Sequence, residues 1–243
     1  MDCLILRFDA PLMSFGGVVV DQLNPTWRFP GKSMLVGLLA NALGWDHRDT
    51  EKLQALQNRL RFAARWDAEP TPLTDYQTVE LAHEFLRGTG WTTRGKVEER
   101  AGDVKNQIRQ KGSYTHIRLR DYWANGVATV ALALDGEGEP SLDALEHALR
   151  APTRPLFIGR KACLPAAPLL IGRREAQGMR AALAKEPLAD IGPRKRPNPI
   201  PALWPLDEGT GAGTEERFDT RDWRNNIHLG AERYAVGSLE LIP

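Results

Sequence analysis

The chain has 243 residues, 42% hydrophobic and 26% charged, with a formal net charge of +1. This composition excludes a disordered chain, and the length suffices for one elaborated domain or two small ones with a buried core. No apolar run is long enough to cross a bilayer, and the N-terminus lacks the basic start and cleavage site of a signal peptide. We therefore expect a soluble, cytoplasmic protein that does not contact a membrane.

Cysteine and histidine are too sparse to form a metal or disulfide framework. The only cysteines are Cys3 and Cys163, and the five histidines (47, 83, 116, 147 and 228) never recur at ligand spacing. We expect no metal, no cofactor and no disulfide, and we predict that both cysteines are small core residues.

The N-terminal third reads as strand, helix, helix, strand. "CLILRFDAP" predicts a buried strand, followed by a turn at Gly16-Gly17 and the apolar "VVV". A helix is predicted from Ser33, its N-cap, to a stop at Gly44, because apolar residues recur on one face at Leu35, Leu38, Leu39, Ala42 and Leu43. "TEKLQALQNRL" predicts a second helix and "RFAARWDA" a strand.

The sequence Gly31-Lys32-Ser33 before the first helix raises the possibility of a nucleotide-binding loop. A P-loop needs glycine five positions before Gly31, where this chain has Thr26, and a buried strand where it has the turn pair Asn24-Pro25. An ATP site is therefore not expected. A helix N-terminus beside Lys32 still attracts phosphate of any origin, including that of a nucleic-acid backbone.

Positive charge is concentrated in two windows. Between Arg87 and Arg120 there are nine Lys and Arg against three acids, around five glycines and without sustained periodicity. We predict an arm whose extended legs are "LTDYQTVE" and "YTHIRLRDYW", with a mobile, solvated tip. The second window, Arg150 to Arg174, holds six basic residues and no acid.

The remaining elements complete a ferredoxin-like pattern. "GVATVALAL" predicts a strand, "SLDALEHALR" a helix capped by Ser141, and "RPLFIG" the last strand of the set. The order βαββαβ indicates an α+β, ferredoxin-like fold. Beyond it, a proline-rich stretch and the loop-like "DEGTGAGTEER" lead to a predicted terminal hairpin, "NIHLGAERYAVGSLELI".

Five stretches resemble one known family. "LILRFDAPLMSFG", "RFPGKSMLVGLLANALG", "DYQTV", "YWANGVATVAL" and "RPLFIGRKACLPAAPLLIG" are similar, in order and spacing, to the CasD family of type I-E CRISPR Cascade complexes, within the RAMP superfamily. The resemblance implies a ferredoxin-like (RRM-like) palm that carries a projecting thumb. Together with the predicted elements, this gives a palm over residues 1–174 with the thumb arm inserted at about 80–120. The resemblance fades after residue 175, where we expect an irregular, β-rich C-terminal extension at 175–243 whose terminal hairpin packs on the palm.

The resemblance also implies a role. Members of the family hold the 5′ handle of CRISPR RNA, contact the first backbone subunit through the thumb, and lie near the large subunit that recognises target DNA. We therefore expect a non-catalytic, RNA-binding subunit of an antiviral surveillance complex, which meets target DNA only through the complex.

Candidate RNA-binding residues fall in three groups. Single-stranded RNA is bound by positive grooves with aromatic or guanidinium stacking. The arm supplies Arg94, Lys96, Lys105, Arg109, Lys111, His116, Arg118 and Arg120; the second window supplies Arg160 and Lys161; the first helix start supplies Arg28, Lys32 and Ser33. The alternatives are a solvated charged loop for the arm and exposed turns for the other two groups.

The other functional hypothesis is a metal-independent endoribonuclease. Such cleavage needs a general base for the 2′-hydroxyl and an acid for the leaving oxygen. His116, Lys111, Tyr76 and His83 are the candidates, although the strand context of Tyr76 predicts a core residue. A small-ligand enzyme is a third possibility, for which the sequence offers no motif.

Overall fold

The structure, a computed structural model, describes residues 1–80 and 115–242. The predicted order of strand, helix, strand, arm, strand, helix, strand is confirmed as far as the described residues extend, and no helix among them is long and apolar enough to cross a bilayer. The helices are α1 (Lys32–Leu43), α2 (Thr50–Arg59), α3 (Leu142–Arg150) and α4 (Met179–Lys185). The strands are β1 (Asp2–Asp9), β2 (Leu12–Met13), β3 (Leu23–Asn24), β4 (Leu60–Ala68), β5 (Thr71–Glu80), β6 (Thr115–Ala124), β7 (Val127–Leu134), β8 (Leu170–Glu175), β9 (Pro201–Pro205), β10 (Gly213–Asp222) and β11 (Ile227–Ser238).

A seven-stranded sheet forms the body. Its order is β10-β11-β9-β4-β7-β1-β8, and every neighbouring pair is antiparallel. The strands β4, β7, β1 and β8 come from the first three quarters of the chain, and the last three strands extend this sheet beyond β4. The three C-terminal strands are therefore continuous with the N-terminal part of this sheet.

Alternating residues of the central strands face two cores. On one face Leu4, Leu6 and Phe8 of β1 pack under α1, α2 and α3; on the other, Cys3 and Ile5 pack under α4. The sheet is thus covered on both faces, which explains why β7 is apolar along almost its whole length. Both cysteines are buried, as predicted, and burial raises the pKa of the Cys3 thiol to about 11.

The two predicted legs of the arm pair as an antiparallel hairpin. β5 and β6 run in register from Thr71 opposite Ala124 to Glu80 opposite Thr115, and the free edge of β6 carries the short strands β2 and β3. We call this hairpin with β2 and β3 the arm base. The tip of the predicted arm, with Arg94, Lys96, Lys105, Arg109 and Lys111, lies outside the described residues.

The last strand of the βαββαβ set is not "RPLFIG", as predicted, but β8, about a dozen residues later. Pro155 removes a backbone donor there, and Gly159 has a positive φ of +96°. Residues 151–169 instead form a loop between α3 and β8.

The terminal hairpin also differs from the prediction. β11 takes most of the predicted segment as one strand, and its partner β10 includes "GTEER", which was expected to be loop. The polar alternation of β10 resembles a loop in sequence because the strand lies at the edge of the sheet, with one side in solvent.

Two predictions about single residues are wrong. Gly31, not Ser33, is the N-cap of α1, whereas the C-terminal stop at Gly44, in left-handed conformation, is confirmed. Tyr76 is not a core residue, because its side chain is 59% exposed on the arm base.

Candidate nucleic-acid interface

A groove crosses the exposed side of α1. Two adjoining cavities, of about 290 and 310 Å³, share Ser33, Met34, Gly159 and Arg221, so they form one continuous depression. Its floor is α1, one wall is the loop at residues 154–161, and the other is the β10–β11 hairpin. We call this depression the α1 groove.

The first wall is fixed along α1 by backbone contacts. Thr153 donates its N–H to Ala42 O at 2.9 Å, and the Arg154 guanidinium donates to Trp45 O at 2.8 Å. Further along, Ser14 N–H donates to Ile158 O at 3.1 Å, and the Ile158 side chain is fully buried. The exposed cations of this loop are therefore carried on a backbone held at both ends.

The second wall is fixed by a buried glutamine. Gln57 of α2 donates its side-chain N–H to Arg221 O at 2.8 Å and accepts from the Trp223 indole at 3.0 Å. Arg221 N–H donates to the Gln57 side-chain oxygen at 3.2 Å, and the Arg221 guanidinium lies 4.9 Å from the Trp223 ring centre. This arrangement holds Arg221 at the side of the groove.

The start of α1, predicted to attract a phosphate, is occupied by a carboxylate of the same chain. Ser33 donates its N–H to Asp219 Oδ2 at 3.1 Å, and its hydroxyl also donates to Asp219. A Cβ at Gly31 would overlap this carboxylate, so glycine is needed there. Lys32 pairs with Glu232 at 2.7 Å. A phosphate at this position would have to displace Asp219.

The groove combines cations with aromatic rings. Its lining includes the cationic side chains Arg154, Arg160, Lys161 and Arg221, the imidazoles of His47 and His228, and the rings of Trp27, Trp45, Phe157, Phe218 and Trp223. Two acids, Asp46 and Asp219, also line it, and Asp219 is already bonded to Ser33. Such a lining suits the phosphates and bases of a single nucleic-acid strand.

Arg160, predicted to contact RNA, and the preceding Gly159 have structural roles within this chain. A Cβ at Gly159 would overlap the carbonyl oxygen of Ser14, so the close approach that requires this glycine is to the chain's own backbone. Arg160 donates to Asp121 O at 2.8 Å and Asn24 O at 2.9 Å, and its guanidinium lies 4.8 Å from the Tyr122 ring centre. Lys161 is exposed at the rim of the groove.

The arm cations within the described residues, Arg118 and Arg120, lie on a face of the arm base that adjoins the α1 groove. Arg118, Arg120 and Tyr122 alternate along β6 and so share one face of the arm base. Tyr122 lies under Arg160, which lines the groove, so this face connects the arm base with the α1 groove. Arg118 donates to Asp21 O at 2.7 Å. His116 pairs with Val79 through the backbone, and its side chain lies outside the description.

Arg28 is not part of this groove. Its side chain is exposed and lines a separate cavity of about 600 Å³ with Lys195 and Arg196. The structure therefore brings Ser33, Arg160 and Lys161 together in the α1 groove, leaves Arg28 apart, and commits Lys32 to an ion pair.

Several groove residues were missed in the sequence. Arg154 falls within the second basic window, whose charge was a signal. Phe218 and Arg221 lie between the loop-like stretch and the predicted terminal hairpin, and His228 lies within that hairpin, and no local pattern marked them as binding residues. Their position depends on hydrogen bonds to Ser33 and Gln57, more than 160 positions earlier in the chain.

Among the candidates for RNA cleavage, only Tyr76 has a described side chain. It lies opposite Leu119 on β6, on the face of the arm base opposite to that of Arg118, Arg120 and Tyr122. His83 and Lys111 lie in the part of the chain outside the description.

Comparison with known proteins gives consistent matches. The family described as "CRISPR-associated protein (Cas_Cas5)" matches residues 3–234. The chain is 32% identical over 188 residues to the "CRISPR system Cascade subunit CasD" of Escherichia coli (strain K12), covering 74% of this chain and 75% of that protein.

Two solved structures have a similar fold. A chain of a "CRISPR RNA-guided surveillance complex" matches with a TM-score of 0.66 at 23% identity, covering 98% of this chain and 90% of that one. A structure described as "Crystal structure of Cas protein" matches with a TM-score of 0.64 at 24% identity, covering 98% and 95%.

Proposed function

The chain belongs to the CRISPR-associated protein (Cas_Cas5) family, and we propose that it is a non-catalytic subunit of a type I-E Cascade complex that holds the 5′ handle of CRISPR RNA. In this role the arm contacts the first backbone subunit, the large subunit docks nearby, and target DNA is met through the complex. The relationship to CasD and the cationic, aromatic α1 groove support the proposal.

We propose further that β4, β7, β1 and β8 form the ferredoxin-like palm. Their spatial order β8-β1-β7-β4, all antiparallel, with helices between β1 and β4 and between β7 and β8, suits this assignment. The palm is residues 1–174, the thumb is inserted at about 80–120, and the rest is the C-terminal extension.

RNA does not bind this palm as it binds an RRM. In an RRM, bases stack on aromatic side chains of an open sheet face. Here the face opposite the three larger helices is buried under α4, with Cys3, Ile5 and Ala63 fully covered. The strand of RNA is therefore placed in the α1 groove, on the helical side, where cations and rings are accessible.

The single observation that carries the proposal is the groove lining, in which four cationic side chains and several aromatic rings surround a continuous depression. We assign phosphate contacts to Arg154 and Lys161, because they lie on the rim of the fixed loop. Arg118 and Arg120 extend the same positive path toward the arm.

The test is RNA binding by the double variant Arg154→Ala, Lys161→Ala. With a 5′-handle RNA, we expect affinity at low salt to fall by about tenfold or more, because two charge-assisted contacts are lost. The slope of log affinity against log salt should decrease by about 0.7 for each phosphate contact removed from a single strand. Fluorescence anisotropy over a salt series measures both quantities.

The matched control is the double variant Arg173→Ala, Lys195→Ala. It removes the same charge, but Arg173 pairs with Asp2 and Asp143 and Lys195 pairs with Glu69, away from the groove. If the control and groove variants bind equally, the groove assignment is wrong. Recovery of cleaved RNA from metal-free incubation with the wild-type protein would instead favour the endoribonuclease.

A further inference from the structure

The cavity of about 600 Å³ lies at one end of the seven-stranded sheet, where β4 and β11 end and β9 and β10 begin. Its other walls are the loop before α1 and the segment at residues 195–199. None of the described residues lines both this cavity and the α1 groove. We call it the strand-end cavity, and a ligand bound there is separate from a strand of RNA in the groove.

Two guanidinium groups at the strand-end cavity have no carboxylate partner within residues 1–80 and 115–242. Arg28 is exposed and forms no ion pair with another described residue. Arg196 is also exposed and donates to backbone carbonyls, to Ala189 O at 3.0 Å and to Asp67 O at 3.4 Å. Because a guanidinium stays charged in proteins, both groups leave positive charge at the cavity that this part of the chain does not neutralise.

The two carboxylates that line the strand-end cavity already have cationic partners. Glu69 pairs with Lys195 at 2.7 Å, and Glu215 pairs with the nearly buried Arg217 at 2.8 Å. Neither carboxylate therefore balances the two guanidinium groups, and an anionic ligand would meet both of them.

The rest of the lining suits a peptide better than a nucleotide. Phe29 is the one aromatic residue among the described lining residues, and it is only 2% exposed, so a base finds no ring on which to stack. A planar guanidinium pairs with a carboxylate through two parallel hydrogen bonds. The apolar wall is aliphatic and consists of Pro197, Pro199, Pro201, Ala202 and Val236.

We propose that the strand-end cavity binds an extended, acidic segment of a neighbouring protein subunit. Carboxylates of this segment pair with Arg28 and Arg196, and its aliphatic side chains pack on the proline wall. The volume of about 600 Å³ lies within the range of about 300–1,000 Å³ of pockets that enclose drug-sized ligands, which are comparable to a short peptide. The last residues of the chain are held elsewhere, because Ile242 N–H donates to Ala184 O of α4 at 2.8 Å.

This inference rests on the proposed function, which places the chain among other subunits, and photo-crosslinking in the purified complex tests it. The full-length chain carries p-benzoylphenylalanine in place of Ser238, an exposed residue of the cavity lining. After irradiation, mass spectrometry identifies the attached peptide. We expect it to come from another protein subunit and to contain at least two Asp or Glu residues.

Charge reversal gives the second measurement. Arg28→Glu should weaken binding of the full-length chain to the other subunits by about tenfold or more, because a charge-assisted contact is replaced by repulsion. The matched control is Lys185→Glu, which makes the same change of charge at an exposed residue at the end of α4, outside the cavity lining. Biolayer interferometry measures both affinities, and circular dichroism verifies that both variants are folded.

The outcomes separate this inference from the proposed function. A wild-type chain that fails to bind the 5′-handle RNA overturns the proposed function. If the wild-type chain binds this RNA but the crosslinks fall on RNA, on this chain or on a segment without carboxylates, the peptide site is overturned. Equal losses of subunit affinity in Arg28→Glu and Lys185→Glu overturn it as well. The two variants should bind the handle RNA equally, and a selective loss in Arg28→Glu would assign the cavity to RNA instead.

Discussion

At the residue scale, Asp219 both lines the α1 groove and affects the stability of the folded protein. Its carboxylate accepts two hydrogen bonds from Ser33 and joins the C-terminal hairpin to the start of α1. Desolvation by burial nonetheless raises the pKa of Asp219 above its ordinary value, against the opposing hydrogen bonds from Ser33. The folded state therefore holds the Asp219 proton more tightly than the unfolded chain does.

This pKa shift predicts a pH dependence of folding. A raised carboxyl pKa gives stability that is present below the unfolded value, near 4, and is lost as pH rises through the folded value. The amide introduced by Asp219→Asn cannot ionise, so the free energy of unfolding of this variant should increase relative to wild type as pH rises through this window. Urea unfolding at several pH values measures the difference.

Asp222 is the matched control, because its pKa is lowered, chiefly by a hydrogen bond from the Asn225 side chain. For Asp222→Asn the pH trend should have the opposite sign, since this carboxylate stabilises the folded state above its unfolded pKa and the contribution is lost on acidification. Parallel pH profiles for the two variants would contradict the assigned role of Asp219.

At the element scale, the covering of the sheet by α4 depends on a buried ion pair. Arg65 and Asp67 of β4 are both 0% exposed and joined at 2.7 Å. Asp67 also accepts from Ala189 N–H at 2.8 Å, while Arg65 donates to Leu183 O and, at 3.0 Å, to Pro187 O. The pair thus anchors α4 and the residues after it, which close the face that an RRM leaves open.

Removal of the Asp67 carboxylate tests whether the covering of the sheet by α4 depends on this ion pair. Asp67→Ala leaves the Arg65 charge buried and uncompensated, and we expect it to lower the free energy of unfolding by about 3–5 kcal/mol. By contrast, Asp207→Ala breaks an exposed ion pair with Arg61 and should cost less than about 1 kcal/mol. Urea denaturation of both variants is the measurement, and equal losses would contradict the anchoring role.

At the scale of the whole molecule, the secondary-structure elements that depend on local sequence patterns could be predicted from the sequence. The helices near 33–43 and 142–150, the strands β4 and β7, and the two extended legs of the arm were predicted from local sequence patterns, and all are confirmed. The resemblance to the CasD family rests on five short stretches, and it is confirmed as well.

The α1 groove could not be predicted, because its walls meet only in three dimensions. Lys32 appears free in the sequence, but its partner Glu232 lies 200 positions away. Ser33 donates a hydrogen bond to Asp219, which lies in β10, a strand whose polar alternation indicated a loop. Pairing between charged residues that are distant in the chain leaves no local pattern in the sequence. The sequence analysis therefore predicted a free phosphate site at the start of α1 and missed Arg221.

The central claim is that the 5′ handle lies in the α1 groove, and photo-crosslinking in the assembled complex tests it most directly. A 5′-handle RNA carrying 4-thiouridine is assembled into the complex together with the full-length chain. The complex is irradiated, and the crosslinked peptides are identified by mass spectrometry. We predict crosslinks in residues 157–161 and 218–228, the two walls of the groove. Crosslinks confined to α4 and β8, with none in either wall, would contradict the account.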